Sequence, residues 1–450
     1  MSIERVRAGA YVDLHAKAIA RVIASSGRVL IPYQAEWGQP NMPVDMADTQ
    51  ERTLETGLLV PVLELAAENG ATLIGYRVTN GSEKKSTLAV ADGYTFEAKY
   101  PGLRGNDFEV SIRTSLIDEK KKEILVRDSK SIYPNESYLV ADKTEAVSKL
   151  KQSSMIRFKS TGAAALTDAE YAKLAGGVTG TAVIPAGQWT QIFNAVFGLD
   201  FDAMYLPSTE APVQAACKQW LLDRRTKGRK LAHLIIAGDK LTDDDIEAHN
   251  ARSRTMNARY VINNSIAGTH TNGTYYDSVQ WAAWVAGLVA GTPANKSFSG
   301  VKVPMTSAAK DWSQSEVLKG LAEGTLMATR DGYDYIIEQA INTLSTLGDG
   351  EREDFGKIRV SMTIDQILND INSTAKKFRA TLDNDKDGRG TFIGAVKEYL
   401  AIRANQKAID ATYSFEESDT MTSAFDYSYY KLKAKPLDSI EAFYVDWEVA

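Results

Sequence analysis

The chain has 450 residues, a formal net charge of −6 and one cysteine, Cys217. This length exceeds what a single hydrophobic core usually supports and predicts roughly two to four domains. The mildly acidic charge disfavours a nucleic-acid-binding protein, and a single cysteine excludes both an internal disulfide and a metal site built from cysteines.

No membrane segment is expected. The longest apolar run, Trp281 to Ala290, has about ten residues, whereas a helix that spans a membrane needs about twenty. We interpret it as a buried helix that ends at Gly291. Residues 1–20 carry charges throughout and lack the apolar core of a signal peptide. These patterns predict a soluble protein made in the cytosol, with no membrane insertion.

The first 90 residues predict an extended arm followed by a small α/β segment. Residues 6–16 form the extended run. Strand-like pieces at 28–33 and 71–79 flank a helix at 51–69, whose apolar residues recur at three- and four-residue spacings.

In the middle of the chain the pattern of apolar and polar residues changes twice. Residues 86–140 contain short alternating runs separated by Gly, Pro and Asn turns, which predicts a small β-sandwich or barrel. From residue 183 to residue 300, helical and strand-like patterns alternate. This order predicts a parallel sheet covered by helices on both faces.

The C-terminal part predicts a strand at 357–362, helices at 363–382 and 394–408, and a strand at the chain's end. From Ile440 to Val449 the side chains alternate between two faces, which is the period of a strand with one buried face.

An apolar strand without a local partner is an aggregation hazard. Strands at the two ends of a chain either pair with each other or are lent to neighbouring subunits by β-augmentation, and we interpret both ends as assembly devices. The residues predicted to form these inter-subunit strand arms are Val6, Tyr11, Val12, Leu14, Phe443, Val445, Trp447 and Val449.

One acidic loop resembles a calcium site only in its first half. Asp383, Asp385, Asp387 and Gly388 match the opening of an EF-hand loop, but the twelfth position, which should be a bidentate Glu, is Gly394. We therefore interpret the segment as an acidic loop between helices, and expect it to bind calcium no tighter than millimolar.

Two other motifs bear on chemistry. Gly268-Thr269-His270 resembles the segment around the catalytic histidine of subtilisins, but Thr306-Ser307-Ala308 lacks the glycine that precedes a subtilisin nucleophile. We interpret His270 as a polar loop residue. Asp243, Asp244 and Asp245 are interpreted as acids that offset a helix dipole rather than metal ligands. No catalytic residue, metal site or cofactor is predicted.

Several segments, collinear over nearly the whole chain, carry motifs of one kind of protein: Arg7-Ala8-Gly9-Ala10-Tyr11-Val12-Asp13, Gly291-Thr292-Pro293-Ala294-Asn295-Lys296-Ser297, Gly356-Lys357-Ile358-Arg359-Val360, Asp365 to Asn372, and the Asp383–Gly388 loop. Taken together, they resemble the tail sheath proteins of contractile phages and related phage-tail-like particles.

The resemblance implies an α/β and α+β multidomain fold. A small β-sandwich is inserted before a subtilisin-like α/β domain without catalytic residues, and a C-terminal sheath domain follows. The expected domains are an N-terminal arm at 1–20, an α/β segment at 21–88, the β-sandwich at 89–178, the subtilisin-like domain at 179–345, and the C-terminal domain with its strand arm at 346–450.

The implied function is assembly. Subunits would form hexameric rings stacked around an inner tail tube, and the stack would contract to drive the tube through a cell envelope. The implied partners are other copies, the tail tube protein, and baseplate and tail terminator proteins, without direct nucleic-acid contact. The particle would assemble in the bacterial host cytoplasm.

Lys397, Arg403 and Lys407 are candidates for the tube-facing surface. The alternatives are another self-assembling phage structural protein or an inactive hydrolase-like relative.

Overall fold

The computed structural model describes residues 27–90, 93–160, 165–180, 184–379, 381–441 and 443–445. The predicted N-terminal arm and the residues Trp447 and Val449 lie outside these ranges. The described chain forms two compact units: residues 27–369 with 436–445, and residues 370–435.

The N-terminal segment supplies the first strands of the larger unit's central sheet. Its elements are β1 (Arg28–Tyr33), β2 (Pro43–Met46), α1 (Thr49–Thr56), α2 (Pro61–Ala67) and β3 (Thr72–Arg77). Strands β1 and β3 pair in parallel, with Val29 opposite Leu73, while β2 pairs antiparallel at the edge of β3. The predicted helix at 51–69 is two helices, because Gly57 adopts a left-handed conformation that ends α1.

Two antiparallel sheets follow. Their elements are β4 (Thr87–Val90), β5 (Tyr94–Ala98), β6 (Phe108–Thr114), β7 (Lys122–Asp128), β8 (Glu136–Val140), α3 (Lys143–Lys149), β9 (Ile156–Ser160) and β10 (Ala169–Lys173). One sheet has the order β4-β5-β9 and the other β10-β6-β7-β8. Phe96, Phe108, Ile124 and Phe158 contribute to one apolar core shared by both sheets, and Trp37 joins it from the N-terminal segment.

The central segment completes the main sheet. Its elements are α4 (Ala186–Val196), β11 (Ala203–Tyr205), α5 (Ala211–Thr226), β12 (His233–Ala237), α6 (Ile246–Met256), β13 (Val261–Asn264), β14 (Gly268–His270), β15 (Tyr275–Tyr276), α7 (Ser278–Gly291), β16 (Lys302–Val303), β17 (Met305–Ala308), α8 (Gln314–Ala322), β18 (Thr325–Leu326), β19 (Ala328–Asp331) and β20 (Asp334–Ile337).

The main sheet has seven strands in the order β18-β13-β12-β11-β1-β3-β2, parallel except for β2. Successive residues of β1 enter different cores: Val29 and Ile31 pack with α2 and α7, whereas Leu30 packs with Trp189 on the other face. Burial of both faces confirms the prediction of a parallel sheet covered by helices.

Helix α7 confirms the predicted buried helix. A capping box joins Asp277 and Gln280 at its start, and nearly every residue along it is buried. It packs closely on α2 at Gly287, where an added Cβ would lie 1.9 Å from the backbone oxygen of Ala66. A glycine is therefore required at this crossing.

The C-terminal part contains α9 (Ile358–Phe378), α10 (Lys386–Asn405), β21 (Ser414–Glu417) and β22 (Tyr430–Lys433). The predicted strand at 357–362 is wrong, because α9 begins at Ile358. The β-branched Ile358 and Val360 favour a strand locally, but both are buried within the helix, and tertiary packing overrides local propensity.

Helix α10 also begins earlier than predicted. The carboxylate of Asp385 accepts a hydrogen bond from the backbone N–H of Gly388 at 2.7 Å and caps the helix. Three glycines in its first half lower the helix propensity of the sequence and obscured this start.

Candidate assembly surfaces

The C-terminal segment is anchored to the larger unit at Glu441. Its carboxylate accepts a hydrogen bond from the Ser299 hydroxyl at 2.6 Å and pairs with the Lys357 ammonium at 2.5 Å. Lys357 immediately precedes α9, and Ser299 lies in the loop after α7. Glu441 therefore fixes the described C-terminal segment to the loop after α7 and to the start of α9.

Beyond this anchor, the described side chains project into solvent. Phe443, Tyr444 and Val445 are 79%, 95% and 88% exposed, and no strand is assigned between residues 443 and 445. Three consecutive large apolar or aromatic side chains are rarely left exposed without a partner surface. The predicted strand arm stays a prediction, because Trp447 and Val449 lie outside the described residues.

The smaller unit contains a two-stranded hairpin that covers one end of α10. Phe415 on β21 and Tyr430 on β22 stack with ring centroids 5.2 Å apart, and both contact Phe392 on α10. Within the described residues, each strand pairs only with the other. Two strands alone are marginally stable in water. The outer edges of the hairpin carry main-chain groups that can pair with further strands, and such pairing would stabilise it.

The three residues predicted to face a tube have different surroundings. Lys397 and Lys407 are exposed, whereas Arg403 takes part in a buried network. The Arg403 guanidinium pairs with the Asp370 carboxylate at 2.9 Å and donates to the Tyr399 hydroxyl at 2.9 Å. Arg403 thus stabilises the smaller unit. Lys397 and Lys407 remain the candidates for the tube-facing surface.

A buried ion cluster supports the start of α9 and was not foreseen. Arg225 forms two hydrogen bonds to the Asp365 carboxylate, at 2.6 and 2.7 Å, and Arg259 approaches the same carboxylate at 3.1 Å. Burial by itself would raise the pKa of Asp365, but the two guanidinium groups outweigh it and lower the pKa. No local pattern links residues so distant in sequence.

His233 lies beside this cluster as a neutral side chain. Its Nε2 is 3.9 Å from Asp365 and has no hydrogen-bond partner among the described residues. Burial lowers the pKa of His233 to about 4, and the neighbouring arginines act in the same direction.

His270 was predicted to be a polar loop residue, and that interpretation is wrong. It lies on β14, is buried, and places Nε2 3.1 Å from the Glu68 carboxylate among the rings of Tyr276 and Trp281. Ser307 lies on the adjacent strand β17, opposite Thr269 rather than His270.

Of the three consecutive aspartates, Asp245 lies at the start of α6 as predicted, and its side chain caps the helix by accepting hydrogen bonds from the N–H groups of Glu247 and Ala248. Asp243 is instead buried before the helix, near the backbone N–H of Ser278. Burial raises the pKa of Asp243 to about 6.

Within the described ranges, no cluster of three His, Cys, Asp or Glu side chains has the arrangement of a metal site. The helices of the described chain are likewise too short or too polar to cross a membrane.

Three family models match successive stretches of the chain. The phage tail sheath protein beta-sandwich domain matches residues 79–179, the phage tail sheath protein central domain matches 182–343, and the phage tail sheath C-terminal domain matches 351–450.

Relatives agree with these matches. The phage-like element PBSX protein XkdK of Bacillus subtilis is 23% identical over 481 residues, covering 99% of this chain and 98% of its own. The tail sheath protein of Clostridium phage phiCD119 is 23% identical over 231 residues, covering 51% of this chain and 60% of its own.

Solved structures share the fold. The sheath tail protein of Desulfitobacterium hafniense aligns with a TM-score of 0.73 at 22% identity, over 95% of this chain and all of that one. The sheath tail protein of Listeria innocua aligns with a TM-score of 0.74 at 20% identity, over 93% and 97%. The PVC sheath complex of an extracellular contractile injection system, in its contracted state, gives 0.55 at 9% identity, over 99% and 98%.

This mixed α/β, multidomain fold and these matches define a structural component of a contractile tail. The chain belongs to the phage tail sheath protein family.

Proposed function

We propose that the protein polymerises as stacked hexameric rings around an inner tail tube, and that contraction of the stack drives the tube through a cell envelope. The observation that carries this proposal is the run Phe443–Val445, exposed directly after the Glu441 anchor. A segment that is anchored at Glu441 and exposes apolar side chains directly after it is suited to link one copy of the chain to the next. The PVC sheath complex, which has a similar fold, was solved in a contracted state, and this supports the same behaviour here.

The linkage in this proposal is made by strands from different chains. The C-terminal arm of one copy, containing Phe443, Val445, Trp447 and Val449, adds to the β21–β22 hairpin of a neighbour. The N-terminal arm of another copy, residues 6–16, adds alongside. Main-chain hydrogen bonds between arms travel with each subunit, so the link survives while the domain faces repack during a rigid-body rotation.

The domain division is part of the proposal. We assign residues 89–178 to a β-sandwich and the seven-stranded sheet to a subtilisin-like α/β domain without catalytic residues, followed by the C-terminal sheath domain at 346–450. The shared core of the two antiparallel sheets and the nearly all-parallel order of the main sheet support this assignment. The partners are other copies, a tail tube protein, and baseplate and terminator proteins. The site of assembly is the host cytoplasm.

Truncation tests the linkage. Deletion of residues 443–450 leaves the Glu441 anchor in place, so we expect a folded chain that forms no sheath polymers. Deletion of residues 1–18 is expected to do the same. Sedimentation and negative-stain imaging measure polymers, and circular dichroism measures folding. Sheaths of normal length from both truncated chains would disprove the linkage.

A pair of single substitutions refines this experiment. On a strand, Trp447 and Glu448 face opposite sides. Trp447→Asp is expected to weaken assembly more than Glu448→Lys, since only the first places a charge on the face that packs against the neighbour.

A further inference from the structure

The partners of the Glu441 carboxylate lie where three segments of the larger unit are joined by their own hydrogen bonds. The backbone N–H of Ala340 donates to the Ser299 hydroxyl at 2.8 Å. The backbone N–H of Ile358, the first residue of α9, donates to the Ala340 carbonyl at 2.9 Å. The surface that receives Glu441 is therefore held in place by bonds that do not involve Glu441 itself.

Charges of opposite sign face each other in this contact. Lys357 and Arg359 lie at the start of α9, and Asp438 and Glu441 lie on the C-terminal segment. The Lys357 and Glu441 side chains pair while only 27% and 16% exposed. Burial lowers the pKa of Arg359, and attraction to the Asp438 carboxylate opposes this effect. The contact is thus largely electrostatic, with complementary charges on its two sides.

The exposed run Phe443–Val445 begins only two residues after Glu441. The Glu441 carboxylate is held by Ser299 and Lys357, whereas Phe443 projects into solvent. Since one residue separates the held carboxylate from the exposed run, the contact at Glu441 restricts where the run can reach. We call the contact of Ser299, Lys357 and Glu441 the latch.

We propose that the latch positions the C-terminal arm for assembly, and that Ser299, Lys357 and Glu441 are its positioning residues. This inference rests on the proposed linkage of copies through that arm. A segment that is already held at one end loses less conformational entropy when it binds a neighbour, so a closed latch strengthens the link between copies. An open latch leaves the chain folded and weakens the link.

Proteolysis measures the latch in the soluble chain, without polymerisation. Chymotrypsin cleaves after aromatic residues such as Phe443 and Tyr444, and it binds several residues on each side of the cleaved bond in an extended form. The latch therefore has to open before cleavage, and the cleavage rate reports how often it does so. Mass spectrometry of the released C-terminal peptide measures this rate.

Glu441→Gln is expected to raise the rate of cleavage after Phe443 and Tyr444 about tenfold, because the amide no longer forms an ion pair with Lys357. The concentration needed for sheath assembly is expected to rise by a similar factor. Glu353→Gln, at an exposed position close to the start of α9, is the matched control and should change neither quantity. Circular dichroism checks that both variants are folded.

Charge exchange separates positioning from a general loss of structure. Lys357→Glu alone and Glu441→Lys alone place like charges opposite each other and are expected to open the latch. The double variant Lys357→Glu/Glu441→Lys restores an opposite pair, so it is expected to recover slow cleavage and assembly at low concentration. The same exchange at the exposed pair Lys302 and Asp334, 2.7 Å apart, should have no effect.

The outcomes distinguish the latch from the proposed function. Wild-type sheaths together with unchanged cleavage of Glu441→Gln would overturn the latch alone. Faster cleavage of Glu441→Gln with an unchanged assembly concentration would overturn the positioning role. A double exchange that stays as rapidly cleaved as the single variants would assign their effect to local structure and also overturn it. A folded wild-type chain that forms no sheaths would overturn the proposed function, and this inference with it.

Discussion

The carboxylate of Asp365 joins two arginines that come from separate parts of the larger unit. Arg225 is at the end of α5, Arg259 precedes β13, and Asp365 is on α9. Removing one member of a buried ion group leaves the others charged and unpaired. At the residue scale, this cluster is where a single substitution should have its largest effect on stability.

We therefore expect Asp365→Ala to lower the free energy of unfolding by about 3–5 kcal/mol. Urea denaturation monitored by tryptophan fluorescence measures this change. The exposed pair of Arg113 and Glu123, with atoms 2.7 Å apart, supplies the control: Glu123→Ala should change stability little. A similar loss for both variants would show that burial does not determine the cost.

Asp243 provides a test by pH. Burial raises the pKa of its carboxyl from 3.8 to about 6. Between these two pH values the folded chain therefore holds a proton that the unfolded chain has released. The stability that this group contributes is present below its ordinary pKa of 3.8 and is lost as the pH rises through 6.

Asp243→Asn removes the buried charge and should stabilise the protein at pH 8 by on the order of 1 kcal/mol, with a smaller gain at pH 4.5. Urea midpoints at the two pH values measure this difference. Asp244→Asn, at an exposed neighbouring position, should show the same small change at both pH values. An equal gain for Asp243→Asn at pH 4.5 and pH 8 would contradict the assignment.

At the scale of elements, the crossing of α2 and α7 shows how tertiary packing opposes helix propensity. Alanine is the better helix former, yet at Gly287 a Cβ would overlap the backbone of α2. At Gly394 in α10, by contrast, an added Cβ would meet no neighbouring described atom within 4 Å.

Gly287→Ala is expected to destabilise the larger unit by about 1–3 kcal/mol, because the helices must separate. Gly394→Ala is expected to stabilise α10 by up to about 1 kcal/mol. Thermal unfolding of both variants compares the two effects. Stabilisation by both substitutions would show that the helix crossing can relax freely.

At the scale of the whole molecule, the surface predicted to face a tube belongs to the smaller unit. Lys397 and Lys407 are exposed there, whereas Arg403 is a member of the Asp370–Tyr399–Arg403 network. Substituting Arg403 would disturb that network, so the test uses the two lysines.

We expect Lys397→Glu/Lys407→Glu to slow sheath growth on purified tail tubes several-fold, with folding unchanged. Electron microscopy measures sheath length over time. Lys151→Glu, an exposed position in the larger unit, is the control. Unchanged growth with the lysine variant would remove this surface from the proposal.

The sequence alone determined features that depend on neighbouring residues. Apolar continuity from Trp281 to Ala290 predicted a buried helix, alternating patterns predicted the β-rich segment, and Asp245 was predicted at a helix start. Collinear motifs also indicated the family. Each of these signals comes from residues that are close in the sequence, or from several motifs that occur in the same order along the chain. None of them depends on the tertiary contacts.

Only the tertiary structure decided the features that join distant residues. It united β1, β2 and β3 with strands more than a hundred residues later in one sheet, and it buried His270 against Trp281. It turned the strand-like 357–362 into helix, and it brought Arg225 to Asp365 across 140 positions. The physical reason is that burial and charge pairing depend on which residues meet in space, and local propensities of a few tenths of a kcal/mol are too small to specify that.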